Sequence, residues 1–139
     1  MNFIEHIKNY LTKIGAEEVS EVNVDKQEVL GFNYLINKKK INIALFHGSY
    51  EDRIMFQIYS SLPNAYKEPD ASFYKIIDKL NVNSMLGYLF FAETDGDYFI
   101  SYKSNMVFDI KSDNYTNIEL FITTSLQMIS INHSKLNVI

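Results

Sequence analysis

Residues 86–104, LGYLFFAETDGDYFISYKS, decide the fold of this chain. Two runs rich in aromatic residues flank Asp95 and Gly96, a dipeptide that readily supplies the positive φ angles of a two-residue hairpin turn. The segment therefore predicts a β-hairpin. A polar break at residues 112–114 and a helix-periodic segment follow it, so the last third of the chain is predicted as strand, strand, helix.

The turn also predicts which hairpin residues lie opposite one another. With Glu93 opposite Tyr98, the remaining pairs are Ala92 with Phe99, Phe91 with Ile100, Phe90 with Ser101, Leu89 with Tyr102, and Tyr88 with Lys103. One face then carries four residues that are predicted to face the core: Leu89, Phe91, Ile100 and Tyr102. The opposite face includes Ser101 and Lys103, yet it is more apolar than an ordinary solvated surface. Its apolar members are Tyr88, Phe90, Ala92 and Phe99.

The first half of the chain predicts one helix followed by three strands. Apolar residues recur at three- and four-residue spacing up to Gly15, which is placed to end the helix: Phe3, Ile4, Ile7, Tyr10, Leu11 and Ile14. An acidic stretch without clear patterning follows. The strands are predicted at about Glu28 to Ile36, Ile41 to Phe46 and Arg53 to Ser60. Alternation assigns to their core face Leu30, Phe32, Tyr34, Ile36, Ile41, Ile43, Leu45, Ile54, Phe56 and Ile58.

The second half adds two helices around the hairpin. Leu62-Pro63-Asn64 is predicted to end the third strand, because proline cannot continue a central ladder. The second helix is predicted from Asp70 or Ser72 to Leu80, with Asp70 as its N-cap. The last helix is predicted from about Tyr115 to Leu136, with a core-facing stripe of Ile118, Phe121, Ile122, Ser125, Ile129, Asn132 and Leu136. These elements predict a single α+β domain, residues 1–139, in the order α-β-β-β-α-β-β-α.

Size, composition and charge exclude several classes of protein. A chain of 139 residues without cysteine can form its own core and has neither a disulfide scaffold nor a zinc–thiolate site. No apolar run approaches the roughly 18 residues of a transmembrane helix, so a cytoplasmic protein that does not bind a membrane is expected. The net charge of −4 disfavours nucleic acid as a partner. Lys38 to Lys40 is interpreted as a solvated turn rather than as a contact for an acidic partner.

Residues with catalytic or metal-binding chemistry are few and scattered. His47 and Ser49 lie close in sequence, but no nucleophile elbow surrounds them, and a plain turn is the simpler interpretation. His6 and His133 lie on separate helices, and the turn at Asp95 lacks the ligand spacing of a calcium loop. We therefore expect no catalytic residue, no metal ion and no cofactor, although a fold can assemble a site that no linear motif reveals.

A semi-apolar patch is predicted on the face of the sheet opposite the core. Alternation places Ala44 there, together with six candidate partner-binding residues: Tyr88, Phe90, Phe99, Phe46, Met55 and Tyr59. Contiguous apolar patches of this kind mark partner surfaces. Two alternatives stay open. One of the helices covers this face as a second core layer, or the aromatic residues are scattered singly over the surface.

The segment from Phe73 to Leu136 resembles the YbjN-like family of proposed bacterial sensory transduction regulators. The resemblance lies in five features: Lys79-Leu80-Asn81 at the end of the second helix, the Leu89-Phe90-Phe91 strand, the Asp95-Gly96 turn, the Phe99-Ile100-Ser101-Tyr102 strand and a long amphipathic last helix. The fold of that family is similar to that of the chaperones that bind type III secretion effectors. The resemblance implies an antiparallel sheet with helices mainly on one face, a tendency to form homodimers and no catalytic residue.

These observations favour a non-enzymatic protein-binding module, a small chaperone-like adaptor or regulator that binds a client protein or a second copy of itself. A second hypothesis is an immunity-type inhibitor whose acidic surface neutralises a basic partner. An enzyme with a site that the fold assembles around His47, Ser49 and nearby carboxylates is the third.

Overall fold

The computed structural model describes residues 3–109 and 115–136 of the chain. Its elements in chain order are α1 (Phe3–Lys13), β1 (Glu17–Val24), β2 (Gln27–Ile36), β3 (Lys39–Tyr50), β4 (Arg53–Tyr66), α2 (Ala71–Val82), β5 (Tyr88–Thr94), β6 (Asp97–Asp109) and α3 (Tyr115–Leu136). The predicted α+β class is confirmed. The polar break predicted at residues 112–114 lies outside the described residues.

Six strands form one antiparallel sheet in the order β1-β2-β3-β4-β6-β5. The first four strands follow one another across the sheet, and α2 then carries the chain to the far edge, where β5 and β6 form the predicted hairpin. Asp95 and Gly96 have φ angles of 52° and 83°, and a two-residue hairpin turn of type I′ requires such positive angles at both residues. The register of the hairpin is confirmed for every predicted pair, from Glu93–Tyr98 to Tyr88–Lys103.

All three helices of the described chain pack against one face of the sheet, which we call the inner face. The inner face carries the residues that alternation assigns to the core, and all of them are buried except Tyr34 and Phe91, which are half-buried. Ile7 and Leu11 of α1 and Ile77 of α2 join this core. The seven residues of the predicted stripe on α3 are all buried. None of these helices combines the length and the apolar character that crossing a membrane requires.

The helix ends follow local sequence. The backbone N–H of Phe73 donates a hydrogen bond of 2.9 Å to the side chain of Asp70, which confirms Asp70 as the N-cap of α2. Gly15 adopts a φ of 101° just after α1, as expected of a residue that ends a helix. Both signals are local, so the sequence alone predicts these helix ends.

The strand β1 is absent from the predicted order, which has three strands before the second helix where the structure has four. β1 is an edge strand, and seven of its eight residues are exposed, so it shows no alternation of buried and exposed positions. A register shift between Glu17 and Ser20, with Glu18 at a φ of 55°, weakens the pattern further. Backbone pairing with β2 forms this strand without a hydrophobic signal in the sequence.

The prediction that Leu62-Pro63-Asn64 ends a strand is wrong, because β4 continues to Tyr66. The ladder between β4 and β6 shifts register between Ser61 and Ala65, so the proline lies in its irregular part. A proline is tolerated at a bulge, where the ladder needs no hydrogen bond from its nitrogen.

Candidate functional site

The face of the sheet opposite the helices, which we call the outer face, has no helix over it in residues 3–109 and 115–136. The hydrophobic core takes its strand residues from the inner face, and none of the six candidate partner-binding residues belongs to it. Met55 and Tyr88 are 52% and 44% exposed, and the other four are half-buried. The alternative in which a helix makes this face a second core layer is therefore excluded for the described residues.

One half of the outer face, on β4, β6 and β5, carries an aromatic cluster, by which we mean Tyr59, Tyr88, Phe90 and Phe99. The ring centroid of Phe90 lies 6.1 Å from that of Tyr59 and 5.7 Å from that of Tyr88. Phe99 lies diagonally across the ladder from Phe90, since Phe90 is opposite Ser101. Contacts between tilted rings restrict the side chains. Aromatic side chains of this kind are typical anchors of protein interfaces.

A group of hydroxyls lies within the aromatic cluster. The Oγ atoms of Ser61 and Ser101 are 2.8 Å apart, and the hydroxyl of Tyr59 lies 3.2 Å from Ser101 and accepts a hydrogen bond of 3.3 Å from Ser61. Ser101 is fully buried, although it faces outward. These hydroxyls satisfy one another, so covering them with a partner would leave few unpaired polar atoms.

The other half of the outer face, on β1, β2 and β3, forms a groove. A cavity of about 370 Å³ there is lined by Gly31 and Ala44, which lie directly opposite each other in the ladder between β2 and β3. A Cβ atom added at Gly31 would meet no heavy atom within 4 Å. Val22 and Val24 also line the cavity and are 46% and 44% exposed. We call this depression the Gly31 groove.

Phe46 and Met55 lie between the two halves. Phe46 lines the Gly31 groove, and both residues line a second cavity of about 120 Å³. Tyr59 lies opposite Ala44, two residues from Phe46, so the register connects Phe46 to the aromatic cluster. The structure thus places all six candidate residues on one face, and ring contacts join three of them directly.

Both halves of the outer face carry charged side chains. Lys103 lies between Tyr59 and Tyr88 in the cross-strand register, and none of the ion pairs of the described residues includes it. Glu18 lines the Gly31 groove, where its Oε2 accepts a hydrogen bond of 2.6 Å from the side-chain amide of Asn33. Lys40 also lies outward beside the groove, where it pairs with Glu17 at 3.3 Å, so the groove half carries charges of both signs.

The two edges of the sheet are protected in different ways. At the β5 edge, the side-chain amide of Asn81 donates to the backbone oxygen of Leu89 at 2.9 Å and accepts from its N–H at 2.7 Å. The amide thus takes the place of a neighbouring strand. The β1 edge instead carries a bulge and the charged residues Glu17 and Glu21, which pair with lysines at 3.3 and 3.9 Å. The role of Asn81 could not be inferred from the sequence, because it depends on how α2 packs beside β5.

The structure places His47 and Ser49 on the inner side of one strand. His47 and Ser49 lie within β3 and not in the predicted turn, and no hydrogen bond joins their side chains in the described part of the chain. Burial lowers the pKa of His47, while the charges of Glu28 and Glu21 act in the opposite direction. No cluster of three metal-ligating side chains occurs among residues 3–109 and 115–136.

A second apolar surface lies on the helix side of the molecule. A cavity of about 410 Å³ is lined by residues of α3, β6 and the loop before β5, among them Leu120, Met106 and Met85. Leu120 is 63% exposed and Met85 is 76% exposed. Leu120 lies outside the core-facing stripe of α3, and Met85 lies in a loop, so periodicity could not identify this surface.

Comparisons with known proteins identify the fold. No family model matches the sequence, and no curated protein matches it. Among solved structures, the chain is similar to YbjN from E. coli, described as a candidate transcription regulator. The TM-score is 0.54 and the identity 12%, and the match covers 97% of this chain and 91% of that one. This likeness confirms the YbjN-like fold that the sequence resemblance implies, and it shows the fold alone.

Proposed function

We propose that this protein is a non-enzymatic protein-binding module that binds another polypeptide chain through the outer face of its sheet. The observation that carries the proposal is the asymmetry of the sheet. All three described helices lie on the inner face, while the aromatic cluster, Phe46 and Met55 lie on a face that the described chain leaves open. Aromatic residues and methionine are enriched in protein interfaces, where they provide large contact areas.

The similarity of fold supports the proposal that this protein-binding module acts as a regulator. The similar structure is that of a candidate transcription regulator, and the resemblance of residues 73–136 is to the same family. We therefore propose a role similar to that of the YbjN-like regulators, as a cytoplasmic adaptor with a chaperone-like fold that binds a client protein. The residues proposed to make the contact are Tyr88, Phe90, Phe99, Phe46, Met55 and Tyr59.

A photo-crosslinking amino acid tests the binding face. It replaces Phe90 in one variant and Leu120, the exposed residue of the helix-side surface, in a matched control. In the native extract, the Phe90 variant should crosslink to a protein that the Leu120 variant does not capture. Crosslinks from Leu120 alone would contradict the proposed face.

The captured protein is then purified and titrated with the wild-type chain and with a Phe90→Ser, Phe99→Ser double variant. Removal of two interface anchors should weaken binding at least about tenfold. Circular dichroism of the double variant should match that of the wild type, because neither ring belongs to the core. Unchanged affinity for the purified partner would refute the proposal.

An immunity-type inhibitor is the second candidate, and the acidity of the β1–β2 region favours it. Four carboxylates on these strands are exposed: Glu17, Glu18, Glu21 and Glu28. Complexes that depend on surface charge weaken as salt is raised, whereas an apolar interface is far less sensitive. A captured partner that is basic, and that dissociates in high salt even from the Phe90→Ser variant, would favour the inhibitor.

A further inference from the structure

We propose that the cavity of about 410 Å³ on the helix side of the molecule binds an uncharged aliphatic small molecule that carries one hydroxyl or carbonyl group. We call it the helix-side cavity. It lies across the sheet from the outer face, so this inference goes beyond the proposed function and does not depend on it. Its apolar lining residues in the described chain are Met85, Leu86, Met106, Phe108, Leu120 and Phe121.

The floor of the helix-side cavity is a gap in the hydrophobic core. Alternation along β6 places Tyr102, Ser104, Met106 and Phe108 on the inner face, and all of them are buried except Met106, which is 38% exposed. Met106 lies opposite Phe56 in the ladder with β4, and Phe56 is completely buried. The core therefore ends one strand short at this position. An apolar molecule bound over Met106 would continue the core and remove apolar surface from water.

The wall formed by the loop before β5 is anchored to the sheet. The hydroxyl of Tyr102 donates a hydrogen bond of 2.6 Å to the backbone oxygen of Leu86. The hydroxyl of Ser84 donates to the backbone oxygens of Leu86 and Gly87, each at 3.0 Å. Gly87 has a φ of 75°, and a Cβ added there would lie 2.5 Å from a backbone oxygen of β6. Met85 thus belongs to a fixed loop, although its side chain is 76% exposed.

The wall formed by α3 is fixed in the same way. The Oγ atoms of Ser104 and Ser125 lie 2.9 Å apart in a buried contact between β6 and α3. The rings of Phe108 and Phe121 pack edge to face, with their centroids 6.3 Å apart. Leu120, which is 63% exposed, lies beside this contact at the rim. Contacts within the fold therefore hold both walls, and ligand sites are usually preformed in this way.

The size of the helix-side cavity favours a small molecule over a protein. Its residues on α3 extend from Asn117 to Thr124, which is about 10 Å along a helix axis. A stable protein interface uses about 20–30 residues on each side, many more than the described residues that line this cavity. Its volume lies within the range of about 300–1,000 Å³ found for ligand pockets. We therefore infer an occupant roughly 10 Å long.

The lining also determines the charge of the occupant. None of the described residues that line the cavity is charged. Two acidic residues adjoin the lining in sequence, but both have other neighbours. Glu119 lies 3.4 Å from the ring nitrogen of His6 on α1, and Asp109 lies opposite Arg53 at the end of the ladder between β4 and β6. An ionised ligand would lose water here without gaining an opposite charge, so an uncharged ligand is favoured.

Two polar side chains of α3 can bind the head group. Thr124 is half-buried and Asn117 is exposed, and both line the cavity beside its apolar floor. A threonine hydroxyl and an asparagine amide each donate and accept hydrogen bonds, so either can pair with a hydroxyl or a carbonyl group. Thr124 is the more buried of the two and is the residue that we assign to the head group.

Displacement of a fluorophore tests the site. N-phenyl-1-naphthylamine, an uncharged apolar dye, should bind the wild type, and 1-decanol should displace it. Met106→Glu should weaken both ligands at least about tenfold, because it places a charge on the apolar floor. Met55→Glu is the matched control, since Met55 is an exposed methionine on the outer face. Binding that Met55→Glu abolishes and Met106→Glu leaves intact would overturn the assignment.

A second variant guards against loss of the fold. Leu120 is 63% exposed, so Leu120→Glu should keep the circular dichroism of the wild type and still weaken 1-decanol at least about tenfold. A folded Leu120→Glu variant with unchanged affinity would refute the site.

The chemistry of the ligand is tested with a charged analogue and a positioning variant. Decanoate, which has the same chain length and is ionised at about pH 8, should displace the dye at least about tenfold less well than 1-decanol. Thr124→Val should weaken 1-decanol about fivefold and change the affinity for the dye less. Equal displacement by the two ligands would overturn the preference for an uncharged molecule, and an unchanged Thr124→Val variant would overturn the role of the hydroxyl.

The remaining outcomes separate this inference from the proposed function. The Phe90→Ser, Phe99→Ser variant should bind 1-decanol as the wild type does, because its substitutions lie on the opposite face. A wild type that binds neither the dye nor 1-decanol overturns the ligand site and leaves crosslinking of a client at Phe90 unaffected. A protein that crosslinks at Leu120 and that 1-decanol does not displace would also overturn it, since the surface would then be a protein interface.

Discussion

Both faces of the sheet carry apolar side chains, but the kind of apolar residue differs between them. Isoleucine and leucine dominate the inner face, where Ile43, Leu45 and Ile58 are completely buried under the helices. The six candidate residues of the outer face are tyrosine, phenylalanine and methionine, and they lie near serine hydroxyls and stay partly exposed. Aliphatic side chains fill a packed interior, whereas aromatic side chains with polar neighbours tolerate water and can still bind. Apolar residues on one side of a strand therefore do not by themselves show that this side packs into the core.

The two edges of the sheet also differ, in how their free backbone groups are protected. Asn81 ties the β5 edge to α2 through two hydrogen bonds to Leu89, while the β1 edge relies on charge and on the bulge near Glu18. One edge is therefore closed by hydrogen bonds from a helix side chain to the backbone, and the other is protected by a bulge and by charged side chains in ion pairs.

The largest expected difference between the two faces concerns stability. Phe56 and Met55 are neighbours on β4, but Phe56 is completely buried on the inner face and Met55 is 52% exposed on the outer face. Phe56→Ala should lower the free energy of unfolding by about 3–5 kcal/mol, because it leaves a cavity in the core. Urea denaturation measures this loss.

Met55→Ala is the control on the opposite face and should change the free energy of unfolding by only about 0.5 kcal/mol. A loss as large as that of Phe56→Ala would mean that the outer face is packed as a core. Such a result would contradict the proposed function, since a core face is not available to a partner.

A smaller effect is expected at the closed edge. Asn81→Ala removes both side-chain hydrogen bonds to the backbone of Leu89 and should lower the free energy of unfolding by about 2 kcal/mol. Hydrogen exchange of the Leu89 amide should become faster. Asn83→Ala removes one exposed hydrogen bond to the oxygen of Lys79 and serves as the control. Equal effects of the two substitutions would show that Asn81 does not protect the edge.

The smallest expected effect is the pH dependence of the free energy of unfolding. Burial lowers the pKa of His133 in α3, and the nearby charge of Lys39 lowers it further; burial also lowers the pKa of His47. The unfolded chain, with histidine pKa values near 6.5, binds more protons than the folded chain. Stability is therefore complete above about pH 6.5 and should fall as the pH drops below it.

Urea denaturation between about pH 7.5 and pH 5.5 measures this dependence, in a range where most carboxylates stay ionised. His133→Gln should flatten the curve relative to the wild type. A wild-type midpoint that rises as the pH falls would contradict the stated direction.

Much of the fold could be predicted because its signals are local. The hairpin register follows from the turn at Asp95-Gly96, and the core faces of β2, β3 and β4 follow from alternation. The strand β1 could not be predicted, because an exposed edge strand has no hydrophobic period. The continuation of β4 past Pro63 depends on a bulge that forms only in the ladder with β6.

The candidate site was only half determined by the sequence. Alternation placed Phe46, Met55, Tyr59, Tyr88 and Phe90 on one side of their strands, and that side is the outer face. It could not show whether a helix covers them, because the same pattern fits an exposed face and a second core layer. The Gly31 groove was not foreseen either, since it depends on how the strands lie side by side.

The sequence by itself determined the strands of the hairpin, the three helices and the sides of most strands, because dihedral preference and hydrophobic period act over a few residues. Only the tertiary structure decided that all described helices pack on the inner face, and that Lys103 and Glu18 lie on opposite halves of the outer face. These facts depend on strand order and on packing between distant segments, which no local pattern encodes.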